Sequence, residues 1–236
     1  MLVKMPLSEE CASLALFLKG PAILFMACVC LSALAVTEED IVIDLSGEPA
    51  SLDPHVQWNP SSYYVYRNIF DNLVTRDNEG KIVGQVAETW EQTTDTTLEL
   101  TIREGILFHD GEPLEPSDVV FSIKRIIDPE FGSPQLGQFN KIVDAVAEEN
   151  TVIIFTADPY PSLLAQLVKL SIVPEHVISK VGDSEFNAAP IGSGPYAFLE
   201  WDRGNMVTLI RNESYWGDVG PFLRANFRSV PDVATR

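Results

Sequence analysis

The chain has 236 residues, of which 46% are hydrophobic and 21% are charged, and its formal net charge is −18 at pH 7. This composition is typical of a globular protein and leaves room for one large domain or two small ones. Such acidity disfavours nucleic-acid binding, because a negative surface repels phosphate backbones.

Residues 1–35 predict a signal peptide, and residues 36–236 the mature chain. An uncharged apolar run at 21–35 ends in Ala33-Leu34-Ala35, the small-x-small pattern of a signal peptidase site. The run is shorter than the roughly 20 apolar residues that span a bilayer. We therefore expect cleavage near Ala35 and a periplasmic mature protein.

Three alternatives for this segment stay open. An uncleaved anchor is the first, and a start codon at Met5 or later is the second. Cys28 raises a lipoprotein form as the third, although the residues before it match a lipobox poorly. All three cysteines precede residue 36, so the predicted mature chain contains none.

Nine short segments of residues 36–236 predict β-strands, because they are apolar or alternate apolar with polar residues. Several pair as hairpins across turns that contain Gly or Asn. In chain order they are 41–46, 73–76, 81–83, 97–103, 142–147, 151–157, 171–173, 196–201 and 206–211.

Five helices are predicted between these strands, which makes the fold class α+β. One runs over 60–70 with Ser61 or Ser62 as its N-cap, and a short one ends near Trp90. Pro116 suits the first position of another helix, which Asp128-Pro129 ends. Its predicted buried stripe is Val119, Ile123, Ile126 and Ile127. The last two cover 162–170 and 174–181.

Residues 36–236 show no catalytic motif: no G-x-S-x-G elbow, no H-E-x-x-H and no cysteine nucleophile. His55, His109 and His176 each lack a second ligand at metal-binding spacing. Gly192–Pro195 lacks the remaining residues of a nucleotide loop and predicts a tight chain reversal. We predict no enzyme, no catalytic residue, no metal site and no cofactor. A secreted hydrolase stays an alternative, because folding can pair carboxylates.

Seven short motifs follow one another along the chain. They are SLDP at 51–54, IFDNLV at 69–74, AETW at 87–90, REG with FHDG at 103–111, DVVFS at 118–122, PIGSGPY at 190–196 and RNESYW at 211–216. In this order they resemble the motifs of the periplasmic solute-binding proteins that feed ABC importers, in family 5 (the peptide- and nickel-binding type). The resemblance covers about Leu45 to Arg236, and the stretch from Leu98 to Asp128 carries it most clearly.

The resemblance implies the first lobe of a two-lobed periplasmic-binding-protein-like fold (type II, cluster C-like). Residues near Arg236 resemble the segment that leads into the family's second lobe, so that lobe is expected to be absent from this chain. The implied function is to bind short peptides and deliver them to ABC permease subunits in the inner membrane, as a monomer. Nickel, haem, opine or oligosaccharide ligands are alternatives, as is a truncated, non-functional remnant.

Within that resemblance, Gln57, Trp58 and Asn59 are the candidate ligand-binding residues, since they follow the SLDP motif and would line the cleft. The alternative is a surface loop with Trp58 packed on its own domain. One lobe alone encloses little of a ligand, and enclosure of the ligand gives such sites their affinity. We therefore expect the chain alone to bind family ligands very weakly or not at all.

Overall fold

The computed structural model describes residues 39–232. The predicted signal peptide and its cleavage near Ala35 lie outside this range. The strands are β1 (Ile41–Leu45), β2 (Val74–Arg76), β3 (Ile82–Gly84), β4 (Ala87–Thr94), β5 (Thr97–Ile102), β6 (Ile142–Glu148), β7 (Thr151–Thr156), β8 (Tyr196–Asp202), β9 (Met206–Arg211) and β10 (Arg224–Ser229). The helices are α1 (Pro60–Ile69), α2 (Pro116–Ile127), α3 (Leu136–Phe139), α4 (Leu163–Leu167), α5 (Glu175–Val181) and α6 (Asp183–Ala188).

The first sheet joins the two ends of the described chain. Its strand order is β1-β10-β9-β8, and β1 runs parallel to β10 while the other pairs are antiparallel. The parallel register pairs Ile41 with Ala225 and Leu45 with Ser229. α1 packs on this sheet, and its Val65 and Ile69 lie in a buried core together with Phe70, the C-cap of the helix.

The second sheet is antiparallel throughout, in the order β4-β5-β7-β6. α2 lies across β6 and β7, and its Val119, Ile123 and Ile126 are buried as the apolar stripe predicts. Ile127, also assigned to that stripe, is only partly buried. The core of this sheet is separate from that of the first sheet.

A two-stranded hairpin of β2 and β3 completes the sheets. Asp77 holds its turn, because its Oδ1 accepts the amides of Glu79 and Lys81 at 3.0 and 2.9 Å. Gly80 has a φ of 80°, the left-handed region that the predicted turn requires. None of the helices within residues 39–232 is long and apolar enough to cross a membrane.

The N-cap of α1 differs from the prediction. Asn59 is the cap, and its side-chain oxygen accepts the Ser62 amide at 2.8 Å. Ser61 and Ser62 lie inside the helix. Ser62 Oγ instead accepts the Ala50 amide at 3.1 Å, which ties the preceding loop to α1.

The short helix predicted to end near Trp90 is wrong, since these residues form β4. Glu88, Glu91 and Gln92 are good helix formers, but β4 is an edge strand whose exposed positions accept polar residues. Other differences are smaller. The helix predicted at 162–170 is only Leu163–Leu167, and the strand at 171–173 is one bridge between Asn72 and Ser171.

Candidate functional site

The SLDPH segment, residues 51–55, is a buried loop held by a cation from another element. The Asp53 carboxylate accepts two hydrogen bonds from Arg125 of α2, at 3.0 and 2.6 Å. Arg125 also contacts Asp183 of α6 at 2.5 Å. Asp53 is 0% exposed, so removing Arg125 would leave a buried carboxylate without its cation.

His55 belongs to the same network and is held neutral. Its Nδ1 accepts from Arg125 at 3.2 Å, so Nε2 carries the hydrogen and donates to the Ser171 carbonyl at 2.9 Å. Burial lowers the pKa of His55 to about 4. The nearby Asp53 carboxylate raises this pKa, and the Arg125 guanidinium lowers it. His55 is therefore a structural hydrogen-bonding group.

Two further residues hold the same loop from the other side. Gln135 Nε2 donates to the Pro54 carbonyl at 2.5 Å, and Ser133 Oγ donates to the His55 carbonyl at 2.6 Å. The loop's backbone is therefore tied to the segment before α3 as well as to α2. These hydrogen bonds fix the backbone that leads to residue 57.

Beyond this loop lies an aromatic cavity of about 270 Å³. Its lining residues come from the segment that follows the loop, the start of α1 and the segment after α4; they are Trp58, Pro60, Tyr63, Tyr64 and Lys169. Trp58 is 39% exposed and Tyr64 51%, so the cavity is open to solvent on one side. Exposed aromatic faces grouped around one charge are typical of a ligand site.

Of the three candidate residues, only Trp58 lines this cavity. Gln57 turns back on its own loop, where its Oε1 accepts the Trp58 amide at 3.1 Å and Asn59 Nδ2 at 3.3 Å. The Asn59 side chain is occupied as the cap of α1. Ligand contact by any of the three stays a prediction.

Sequence reasoning missed Tyr63, Tyr64 and Lys169. The two tyrosines had a readable signal, because they follow the candidate loop within the first turn of α1. Lys169 had none, since it comes from a segment far along the chain that only folding brings to Trp58.

A second cavity, of about 450 Å³, is acidic, but key groups in it are already partnered. Asp118 accepts the amides of Glu115 and Glu175 at 2.9 and 3.0 Å, so it caps two helix starts. His176 Nε2 lies 2.8 Å from Asp110. Within residues 39–232, no group of three His, Cys, Asp or Glu side chains is placed to hold a metal ion.

Three of the seven motifs meet at the carboxylate of Asp71, which is fully buried. It accepts hydrogen bonds from Gln85 at 2.6 Å, Tyr215 at 2.8 Å, Trp216 at 3.0 Å and Ser193 at 3.1 Å. Burial raises the pKa of Asp71, and these four donors counter the rise. The motifs containing Asp71, Ser193 and Trp216 therefore form a structural junction.

The glycines of the PIGSGPY motif allow a close backbone approach. Gly194 donates its amide to the Ile69 carbonyl at 2.8 Å. A Cβ on Gly194 would lie 2.6 Å from the Asn68 carbonyl oxygen, and one on Gly192 would overlap the Ile69 carbonyl. Neither glycine has a positive φ, so the reason for glycine here is space.

The His109 ring contacts the same two glycines. Its Nδ1 accepts the Gly192 amide at 3.2 Å, so Nε2 donates to the Gly194 carbonyl at 3.0 Å. Burial lowers the pKa of His109, which keeps the ring neutral. The FHDG motif is therefore structural too.

Comparison with known proteins identifies the family. The family model described as bacterial extracellular solute-binding proteins, family 5, middle region, matches residues 81–236. The chain belongs to this family. The resemblance predicted from the seven motifs is confirmed.

Individual family 5 relatives agree over most of the chain. Protein XP55 of Streptomyces lividans is 32% identical over 76% of this chain and 33% of its own length. The periplasmic oligopeptide-binding protein OppA of Salmonella typhimurium is 30% identical over 76% of this chain and 37% of its own. The chain thus spans roughly a third of these curated relatives.

A solved family 5 structure shows the same fold. It is the binding protein AgaA from A. tumefaciens R10 in complex with agropinic acid, with a TM-score of 0.78 and 30% identity. The match covers 84% of this chain and 41% of AgaA. The predicted fold class, an α+β first lobe of the family's two-lobed fold, is confirmed.

Proposed function

We propose that this chain belongs to the solute-binding component of a periplasmic ABC importer and contacts short peptides through the aromatic cavity. Family 5 membership supports the solute-binding role, and the printed name of the OppA relative supports a peptide ligand and a periplasmic location. Delivery to membrane permease subunits and the absence of enzymatic activity belong to the same proposal.

The observation that carries the peptide assignment is the cavity beside the anchored loop. The aromatic rings of Trp58, Tyr63 and Tyr64 offer apolar faces against which many peptide side chains can pack. Such packing does not require one particular peptide sequence. The ring centroids of Trp58 and Tyr63 lie 6.4 Å apart, so the aromatic wall is continuous. Such a surface fits a receptor that accepts peptides of varied composition.

A titration of the purified chain tests this function. The panel comprises a tripeptide, agropinic acid, glutathione and nickel with histidine, and the readout is tryptophan fluorescence. The tripeptide should change the emission with a dissociation constant weaker than micromolar, because an open cavity covers one side of a ligand only.

Two variants assign the signal to the cavity. Trp58→Phe should remove most of the emission change, whereas Trp201→Phe, outside the cavity, should keep it. A response to nickel–histidine or agropinic acid without one to the tripeptide would replace peptide by that ligand. Calorimetry that gives micromolar or tighter peptide binding would contradict the expectation of weak binding.

A further inference from the structure

We propose that Lys169 binds a carboxylate of the solute, so that this cavity selects acids that carry an apolar group, such as the C-terminal residue of a short peptide. The inference rests on the proposed function, because it assigns a role inside the same cavity. It narrows the ligand from any solute to an anion with an apolar group.

Lys169 is positioned by its own segment and by two neighbours. It directly precedes Leu170, which is 1% exposed and fixes the backbone after α4. Its Nζ lies 3.0 Å from Gln138 Oε1 and 5.0 Å from the centre of the Trp58 ring. The ammonium is therefore held at the cavity wall beside the aromatic faces.

No carboxylate of the described residues pairs with Lys169. Within residues 39–232, no carboxylate oxygen lies within 4.0 Å of its Nζ. By contrast, Lys124 is 3.1 Å from Asp144, and Arg125 is 2.6 Å from Asp53. An ammonium has three donor hydrogens, and the neutral amide of Gln138 uses one.

The aromatic wall makes this ammonium a stronger anion site than an exposed lysine. A ligand carboxylate beside Lys169 would lie next to the Trp58 ring, where apolar atoms displace part of the solvent and charges attract more strongly. The apolar part of the same ligand would cover Tyr63 and Tyr64. The chain as a whole carries a net charge of −18, so Lys169 would offer an anion a local positive site on an acidic protein.

A matched pair of probes tests the inference on the unmodified chain. Ala-Ala-Phe and its C-terminal amide differ only in the charged group, and ¹H–¹⁵N spectra follow both titrations. The free acid should bind about tenfold more tightly than the amide, the size of one partly desolvated charged hydrogen bond. Added salt should weaken binding of the free acid, because salt screens the contact between its carboxylate and Lys169.

Substitutions at position 169 assign the preference. Lys169→Met keeps an unbranched side chain of similar length but removes the charge, and the acid and the amide should then bind equally. Lys169→Arg keeps the charge and should keep the preference. Lys180→Met removes an exposed lysine of α5 and should change nothing.

The possible results distinguish a failure of the Lys169 assignment from a failure of peptide binding. Equal affinities for acid and amide in the unmodified chain would overturn the role of Lys169 and leave peptide binding intact. A preference that persists in Lys169→Met would overturn it as well. No shift with either probe at millimolar concentration would contradict peptide binding itself, and the inference with it.

Discussion

The carboxylate of Asp71 accepts four hydrogen bonds although its side chain is 0% exposed. All four partners donate to the carboxylate, two to each oxygen. An amide would replace one of these oxygens by an NH₂ group, which cannot accept their hydrogen bonds. We predict that Asp71→Asn lowers the free energy of unfolding by about 2–3 kcal/mol, the cost of buried unsatisfied groups. Chemical denaturation measures this loss.

The control for this prediction is Asp95→Asn, in the exposed turn between β4 and β5, which should change stability by less than about 0.5 kcal/mol. Equal, small losses at both positions would contradict the structural role given to Asp71.

His55 gives the second prediction at this scale, a pH dependence. Its pKa is 6.5 in the unfolded chain and about 4 when folded, so between these values protons bind mainly the unfolded state. The stability that neutral His55 provides is present above pH 6.5 and is lost as pH falls towards 4. Replacing His55 by Gln should therefore cost stability at pH 7, and the difference from the native chain should shrink by about 3 kcal/mol by pH 4.

Thermal or urea unfolding of both chains from pH 7 to pH 4 checks this expectation. The groups that face His55 are Asp53, Arg125 and Asp183, and all are kept in the variant. A difference for His55→Gln that stays constant with pH would contradict burial of the neutral ring.

At the scale of elements, residues 192–194 pass very close to the backbone at the C-terminal end of α1. Gly194→Ala would force a methyl group to 2.6 Å from the Asn68 carbonyl, so the backbones must separate. We predict a loss of about 1–3 kcal/mol, typical of overpacking. Gly137→Ala, where nothing lies within 4 Å, should be neutral or stabilising. Similar melting temperatures for the two variants would count against this close contact.

The elements that sequence predicted best were those with local signals. The hairpin turn at Gly80 and the Pro116 helix start depend on nearby residues only, and both are present. β4 was missed because its polar residues favour a helix by themselves, and only pairing with β5 makes it a strand. β10 was missed as well; it pairs with β9 and, in parallel, with β1 at the other end of the described chain.

At the scale of the whole molecule, the motifs identified the family but not the site. Asp53, Asp71 and His109 all serve the scaffold, through partners that lie far away in sequence. Trp58 was predicted as a candidate because it follows a motif. Lys169 has no motif, and its place beside Trp58 depends on the packing of α4 against the rest of the chain.

The central claim is that this family 5 chain meets its solute at the aromatic cavity. A map of ¹H–¹⁵N shifts during titration with Ala-Ala-Phe tests that claim most directly. The account predicts that the largest shifts fall on Trp58, Tyr63, Tyr64 and Lys169, while Glu115 and His176 of the acidic cavity stay unchanged. Largest shifts at the acidic cavity, or no shifts at all, would contradict it.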